Sequence, residues 1–293
     1  MTIPRRAEEG AGQAGVFVDL HMHSTASDGS LPPDQVVAAA RTAGLAAIAL
    51  TDHDTVAGIE AARAAAVSLG VRVSAGVELS AFEGTEEMHI LGLHLARLAE
   101  LDRQLVGLRA ARRVRAERIV ERLNALGVGI TMDAVARIAG DGAIGRPHIA
   151  RALVRGGFAR DQRDAFDRYL GWGRPAFVEK QRLSVSEALG IIHGAGGIAV
   201  LAHPGVTGTR ARLQALAGLG LDGVEVLHPS HSAEDIARLG ALADHLGLVR
   251  SGGSDWHGAG AGDRVIGGMR VPFAWLEPQE ARARQRLERA MVA

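Results

Sequence analysis

Two histidines two residues apart, His21 and His23, close the apolar run in "VFVDLHMHSTASDGS" (16–30), and Asp28 follows in a glycine-containing loop. On an extended strand residues i and i+2 face the same way, so the two imidazoles share a side and form a ready chelate for a transition metal. Asp255 and His257 in "SGGSDWH" repeat that spacing near the other end of the chain. Between them, residues of the same kinds fall where apolar runs stop. These are His53 in "TDHDT", Glu78 in "VRVSAGVEL", His89 in "MHILGLHL", His203 in "IAVLAHP", and His228 and His231 in "VEVLHPSH". One histidine at a strand end is usually a hydrogen-bonded core or surface residue; the recurrence at so many strand ends points to a shared metal-lined rim. A thiol nucleophile is excluded because there is no cysteine, and no GxSxG elbow exists to carry a serine hydrolase.

The elements that must position these residues alternate through the first 95 positions. "VFVDL", "LAAIAL", "VRVSAGVEL" and "MHILGLHL" read as buried strands. "PPDQVVAAARTAG" reads as a helix opened by Pro32 and Pro33 and stopped by Gly44, and "GIEAARAAAVSLG" as a second helix ending at Gly70. Strand three is expected to end at Glu78. After about Leu98 the rhythm breaks into one long amphipathic helix, "LDRQLVGLRAARRVRAERIVERLNALG", and shorter helical pieces. It returns with "SVSEALGIIHGAGG", "IAVLAHP", "DGVEVLHP", "SAEDIARLGALADHLG" and "LVRSGGSDWH". About seven core strands with helices outside predict an α/β fold: a parallel, closed or nearly closed (β/α)7 TIM-like barrel, whose strand ends converge on one rim. The expected organisation is a disordered extension over 1–15, a barrel over 16–98 and 183–293, and a helical insertion over 99–182.

Formal net charge is zero over 293 residues, so the whole molecule has no bulk attraction for nucleic acid or anionic membrane. The charge is uneven, however. Positions 97–182 hold 18 Arg or Lys against 10 Asp or Glu, a net of +8, so the remainder carries −8. Lys180 is the single lysine. The absence of cysteine, of a signal peptide and of an 18-residue apolar run leads to the expectation of a cytoplasmic protein with no membrane association and no obligate protein partner. His193 and His245 fall within helices and are expected to be structural, whereas His94 could stand in for His89.

In order and spacing, "DLHMHSTASDG" (19–29), "TDHDT" (51–55), "GVELS" (76–80), "MHILG" (88–92), "LAHP" (201–204) and "GGSDWHG" (252–258) resemble the PHP family of metal-dependent phosphoesterases. "GRPHIARAL" (145–153), inside the insertion, is similar to the TrpH or RNase AM branch of nucleoside 3′,5′-bisphosphate phosphatases and 5′→3′ exoribonucleases. The resemblance implies a distorted seven-stranded barrel (the PHP fold) with two to three divalent metals. It assigns His21, His23, Glu78 and Asp255 to a first metal, Glu78, His89 and His203 to a second, and Asp28, His53 and His257 to a third.

Six neutral imidazoles and three carboxylates give such a site a ligand charge of −3, which two or three divalent ions overcome, so it attracts a phosphate dianion. The nitrogen-rich set favours Mn, Fe or Zn over Mg or Ca. The expected reaction is metal-assisted hydrolysis of phosphate esters, with a metal-activated hydroxide attacking phosphorus in line. The expected substrates are 3′,5′-bisphosphonucleotides or short 5′-phosphorylated RNA. Arg146, with His148, would recognise a second phosphate. His228 and His231 would contact substrate, and His231 would be a candidate proton donor to the leaving oxygen. Two other readings remain open: a small-metabolite phosphatase such as histidinol phosphatase, which the insertion disfavours, and a non-catalytic metal- or nucleic-acid-binding module.

Overall fold

The computed structural model describes residues 15–259 and 264–292, so the extension expected over 1–15 lies, apart from Gly15, outside the described residues. In chain order the elements are β1 Phe17–Met22, α1 Pro33–Thr42, β2 Ala47–Leu50, α2 Ile59–Leu69, β3 Arg72–Glu83 and β4 Glu86–Leu93. Then come α3 Leu98–Ala125, α4 Met132–Ala139, α5 Arg146–Arg155 and α6 Gln162–Ala165, which runs into a π turn at Phe166–Leu170. The chain returns through α7 Val185–Gly194, β5 Ile198–Leu201, α8 Arg210–Leu219, β6 Gly223–Leu227, α9 Ala233–Leu246, β7 Val249–Gly252, β8 Val271–Pro272 and α10 Leu276–Val292. Local chemistry sets several ends. Gly70 and Gly247 stop α2 and α9 in left-handed backbone, and Ser184–Glu187 and Ser232–Asp235 form capping boxes at the starts of α7 and α9.

The eight strands form one sheet in the order β7-β6-β5-β4-β3-β2-β1-β8. It curls until its two ends meet: Met22 bridges Trp256 in parallel, and the His23 N–H donates to the Trp256 carbonyl at 3.0 Å. Gly253 permits this approach, because a Cβ there would lie 2.5 Å from the Cβ of His21. The result is a nearly closed, TIM-like barrel with helices around it.

The sheet is not all parallel as expected: β4 runs antiparallel to both β3 and β5. Only Gly84 and Thr85 separate β3 from β4, and Gly84 takes φ of 61°, so the chain turns back as a hairpin instead of crossing over. Strand three also continues past Glu78 to Glu83. This reversal matters for the site. His89 sits in the first half of β4 opposite Ser80, which brings it to the rim reached by the C-terminal ends of the parallel strands. His94 follows the far end of β4, where it meets Ser74 at 3.2 Å and Gln279 at 3.0 Å, so it does not stand in for His89. The two-residue β8, antiparallel to β1, is an eighth strand too short for a periodic pattern to reveal.

Apolar packing treats α3 as a shared element. Leu101 and Leu105 belong to the cluster that includes Leu50, Val77, Ile90 and Ile192, whereas Ile119, Val120 and Leu123 join Val135, Ile149, Leu153 and Leu170 in a separate cluster. One 28-residue helix therefore enters both cores. Near the middle of this helix, Arg112 pairs with Asp54 and Arg109 donates to the Asp54 carbonyl at 3.3 Å. Among the described residues no helix is long and apolar enough to cross a membrane.

Candidate metal centre

The rim begins with β1, where alternation places Val18, Leu20 and Met22 on one face and Asp19, His21 and His23 on the other. Two buried carboxylates then hold the rim loops in place. Asp19 accepts from the backbone N–H groups of Ser254 and Gly267, each at 2.9 Å, which ties the loop carrying Asp255 to β1. Asp52 accepts from Ser24 N (2.7 Å), Ser24 Oγ (2.6 Å) and Ser27 Oγ (2.6 Å), which fixes the turn carrying Asp28. Three rim residues, Asp54, His203 and Asp255, hold positive φ, a conformation that non-glycine residues keep only when their surroundings enforce it.

Glu78 lies at the centre and divides its oxygens. Oε2 is 3.3 Å from His21 Nε2 and 3.2 Å from both His23 Nε2 and His53 Nδ1. Oε1 is 2.6 Å from His89 Nδ1 and 3.3 Å from His203 Nε2. Asp255 Oδ1 completes the first group, 3.4 Å from His21 Nε2 and 3.2 Å from His23 Nε2. In a third group Asp28 stands 3.3 Å from His257 Nε2 and 3.9 Å from His53 Nε2, and the His23 and His257 rings stack at 4.1 Å. All nine residues expected to face metal therefore meet in three adjoining clusters, the donor atoms within each lying within 4.8 Å of one another, and His21, Glu225 and His228 form a fourth such group beside them.

These side chains fit divalent ions. His21 Nε2, both nitrogens of His23 and His53 Nδ1 are buried without a hydrogen-bond partner, although carboxylate oxygens lie little more than 3 Å away. Orphaned imidazole nitrogens are costly unless something else binds them. Separations of 3.2–3.4 Å in the first group match the edge of a tetrahedron around an ion bonded at about 2.0–2.1 Å. Burial works against charge on Glu78 and Asp255. The surrounding imidazoles (His53, His89 and His21 for Glu78; His21, His228 and His23 for Asp255) outweigh it and hold both carboxyl pKa values well below the usual range. That attraction comes from imidazoles in their charged form, a positive charge that a divalent ion would supply in their place.

One participant was not anticipated. Glu225, wholly buried on β6, places Oε1 3.1 Å from His21 Nδ1 and accepts the His203 backbone N–H on Oε2 at 2.8 Å. The signal was present as a lone carboxylate inside the apolar strand "GVEVL".

The expected substrate residues part company. His148 is buried, its Nδ1 accepts the Gly145 N–H at 3.0 Å at the start of α5, and burial, then Arg151, pulls its pKa down to about 4. It is a neutral imidazole that caps the start of α5. Backbone groups hold both ring nitrogens of His231, Nδ1 donating to the Val226 carbonyl (2.9 Å) and Nε2 accepting from Gly205 N (3.1 Å). His228 is buried, with Nδ1 accepting from Ser230 N (3.2 Å) and Nε2 directed at Asp255 Oδ2 (3.6 Å), so it faces a candidate metal ligand. His193 and His245 bond Asp222 (2.8 Å) and Arg210 (3.0 Å), as expected of structural residues.

Arg146 does reach the site. A cleft of about 350 Å³ is lined by His89, His203, Arg146 and Arg212, together with Glu86 and Glu87. Arg212 is neutralised by Glu83 and Glu86. Among the described residues Arg146 has no carboxylate partner; its guanidinium donates to the Leu170 carbonyl at 3.3 Å and lies over the Phe166 and Phe177 rings. Neighbouring Arg115 also lacks one, and burial, then Arg146 and Arg112, pull its pKa down to about 10.

Residues 19–127 match the PHP domain family. The chain is 38% identical over 257 residues to a 3′,5′-nucleoside bisphosphate phosphatase of Chromobacterium violaceum, covering 85% of this chain and 90% of the relative. It is 37% identical over 250 residues to a 5′-3′ exoribonuclease of Escherichia coli, covering 83% and 85% respectively. A crystal structure from Bifidobacterium adolescentis, described as a metal-dependent phosphoesterase, superposes with a TM-score of 0.85 at 32% identity, covering 92% of this chain and 97% of that one.

Proposed function

The chain belongs to the PHP family of metal-dependent phosphoesterases, and from that premise we propose that it hydrolyses phosphate esters of nucleotides that carry a second phosphate, 3′,5′-bisphosphonucleotides or short 5′-phosphorylated RNA. His21, His23, Glu78 and Asp255 would hold one divalent ion, Glu78, His89 and His203 a second, and Asp28, His53 and His257 a third. Mn, Fe or Zn suits this nitrogen-rich set. When bound, such ions neutralise charge on the phosphoryl oxygens and acidify a water for attack on phosphorus.

The protein's own groups supply the rest. Glu78 places one oxygen toward each of two clusters and so fixes their spacing. Asp255 and Asp28 remain ionised and hold the imidazoles of the first and third groups in register. Arg146 orients the substrate by gripping the phosphate that is not cleaved, with Arg115 adding positive potential. The observation that supports this reading is the cleft itself, which is lined both by candidate metal ligands, His89 and His203, and by Arg146, a half-buried guanidinium without a carboxylate partner among the described residues.

The test is Arg146→Ala, assayed on a 3′,5′-bisphosphonucleotide and on a simple aryl phosphate. KM for the bisphosphate should rise about 10- to 100-fold, the loss of one or two hydrogen bonds to a charged group. The aryl phosphate should change far less. Equal losses on both would remove Arg146 from phosphate recognition.

A further inference from the structure

We propose that Trp172 is the stacking platform for a nucleobase of a short single-stranded oligonucleotide. The inference rests on the nucleotide reading above and extends it from phosphate to base. Only 3% of the chain is aromatic, with three tryptophans, one tyrosine and six phenylalanines. Trp256 is 7% exposed and belongs to the barrel core, whereas Trp172 is 79% exposed and contributes little to any core.

Its exposure is not that of a loose loop. Gly171 N donates to the Phe166 carbonyl (2.8 Å), Arg174 N to Gly171 (3.1 Å), Ala176 N to Tyr169 (3.0 Å) and Phe177 N to Arg174 (2.9 Å). Gly173, at φ of 70°, supplies the bend that presents the indole. The indole leans edge-on against Phe177, with ring centroids 5.1 Å apart. The guanidinium of Arg146 sits 5.9 Å and that of Arg115 6.0 Å from the same Phe177 ring. Arg122 donates to the Phe177 carbonyl. Trp172 thus stands one ring beyond the arginine that borders the His89–His203 cleft, inside the positively charged part of the chain.

A held indole beside unpaired guanidinium groups matches single-stranded nucleic acid, which offers a π face at each base and a negative charge at each linkage. A phosphorylated metabolite without a ring would use the arginines and leave the indole idle. Stacking tolerates any base, so the platform would add length-dependent affinity without sequence preference.

The test uses the metal-loaded enzyme and a 5′-phosphorylated tetraribonucleotide with phosphorothioate linkages that resist cleavage. Binding should quench tryptophan fluorescence in the wild type and not in Trp172→Ala, which keeps Trp256 and Trp275. With the hydrolysable tetranucleotide, Trp172→Ala should raise KM roughly tenfold and Trp172→Phe should restore part of it. A single abasic position in the oligonucleotide should cause the same loss in the wild type and no further loss in Trp172→Ala, the non-additivity expected of two partners in one contact. Metal content and circular dichroism of the variant serve as folding controls. Undiminished affinity in a folded Trp172→Ala, fully additive losses, or a change in self-association in place of a change in RNA binding would each overturn the platform. A wild type that cleaves no nucleotide or oligonucleotide would overturn the underlying functional reading instead.

Discussion

A neutral imidazole has one lone pair, so a histidine can serve a metal only if its other nitrogen knows where to put its proton. For His21 that partner is Glu225, which takes the Nδ1 side and leaves Nε2 facing Glu78 and Asp255. Glu225→Gln keeps the shape but removes the charge and one acceptor. Its expected effect is a 10- to 100-fold loss of metal affinity, roughly the usual consequence of disturbing such a partner. Elemental analysis after graded chelator treatment checks it; wild-type metal retention would mean that His21 is oriented by something else. The nine converging residues were legible because their types are uncommon at the ends of apolar runs and their motifs recur in order. Glu225 carried a weaker signal, a lone glutamate between two valines with no partner at a telling spacing. For His148 and His231, expected to meet substrate, residue type says nothing of burial or of which backbone groups claim each nitrogen.

At the scale of elements, apolar runs and helix signals disclosed most strands and helices up to β7, but neither β8 nor α10, and not strand direction. Direction depends on connection length, and the expected bounds of strand three hid the fact that only Gly84 and Thr85 separate β3 from β4. That reversal is what allows His89 to reach Glu78 from a strand entering the rim from above. The long helix α3 was visible as a helix, yet its attachment was not. Arg112 meets Asp54 where both are largely buried, and Asp54 adjoins His53 on a strained rim turn. Arg112→Met would leave the Asp54 carboxylate buried without its partner, a change that typically destabilises by about 3–5 kcal/mol. We expect a melting temperature lower by several degrees, with part of the loss recovered in the Arg112→Met/Asp54→Asn pair, as thermal denaturation would show. A single variant that melts like the wild type would mean that the apolar contacts of Leu101 and Leu105 suffice to dock the helix.

Over the whole molecule, buried charge serves two different purposes. The rim gathers imidazoles, carboxylates and the unpaired arginines; the opposite end is closed by α10 through one buried carboxylate. Asp222, just before β6, accepts from Arg286 Nε (2.9 Å) and Nη2 (2.7 Å) on Oδ1, and from His193 Nε2 (2.8 Å) and Ala199 N (3.0 Å) on Oδ2. Burial alone would raise its pKa, but His193, Arg286 and the Ala199 N–H outweigh that and lower it below the ordinary 3.8. A carboxyl depressed in the folded state stabilises the fold above its unfolded pKa, and that contribution disappears as pH falls through the folded value. The lock formed by Asp222 is therefore fully present above about pH 4 and lost only in stronger acid. Asp222→Asn should lower the melting temperature at neutral pH, by the equivalent of about 3 kcal/mol for a broken buried pair. The difference from wild type should then narrow as pH drops below about 4, because protonation makes the native residue resemble the variant. Both proteins should be compared free of metal, so that protonation of the rim histidines affects them alike and cancels in the difference. A gap that stays constant from neutral pH down to about pH 2 would show that Asp222 contributes packing alone, and that α10 is held to the barrel by Leu276 and Ala283 without an ionic lock.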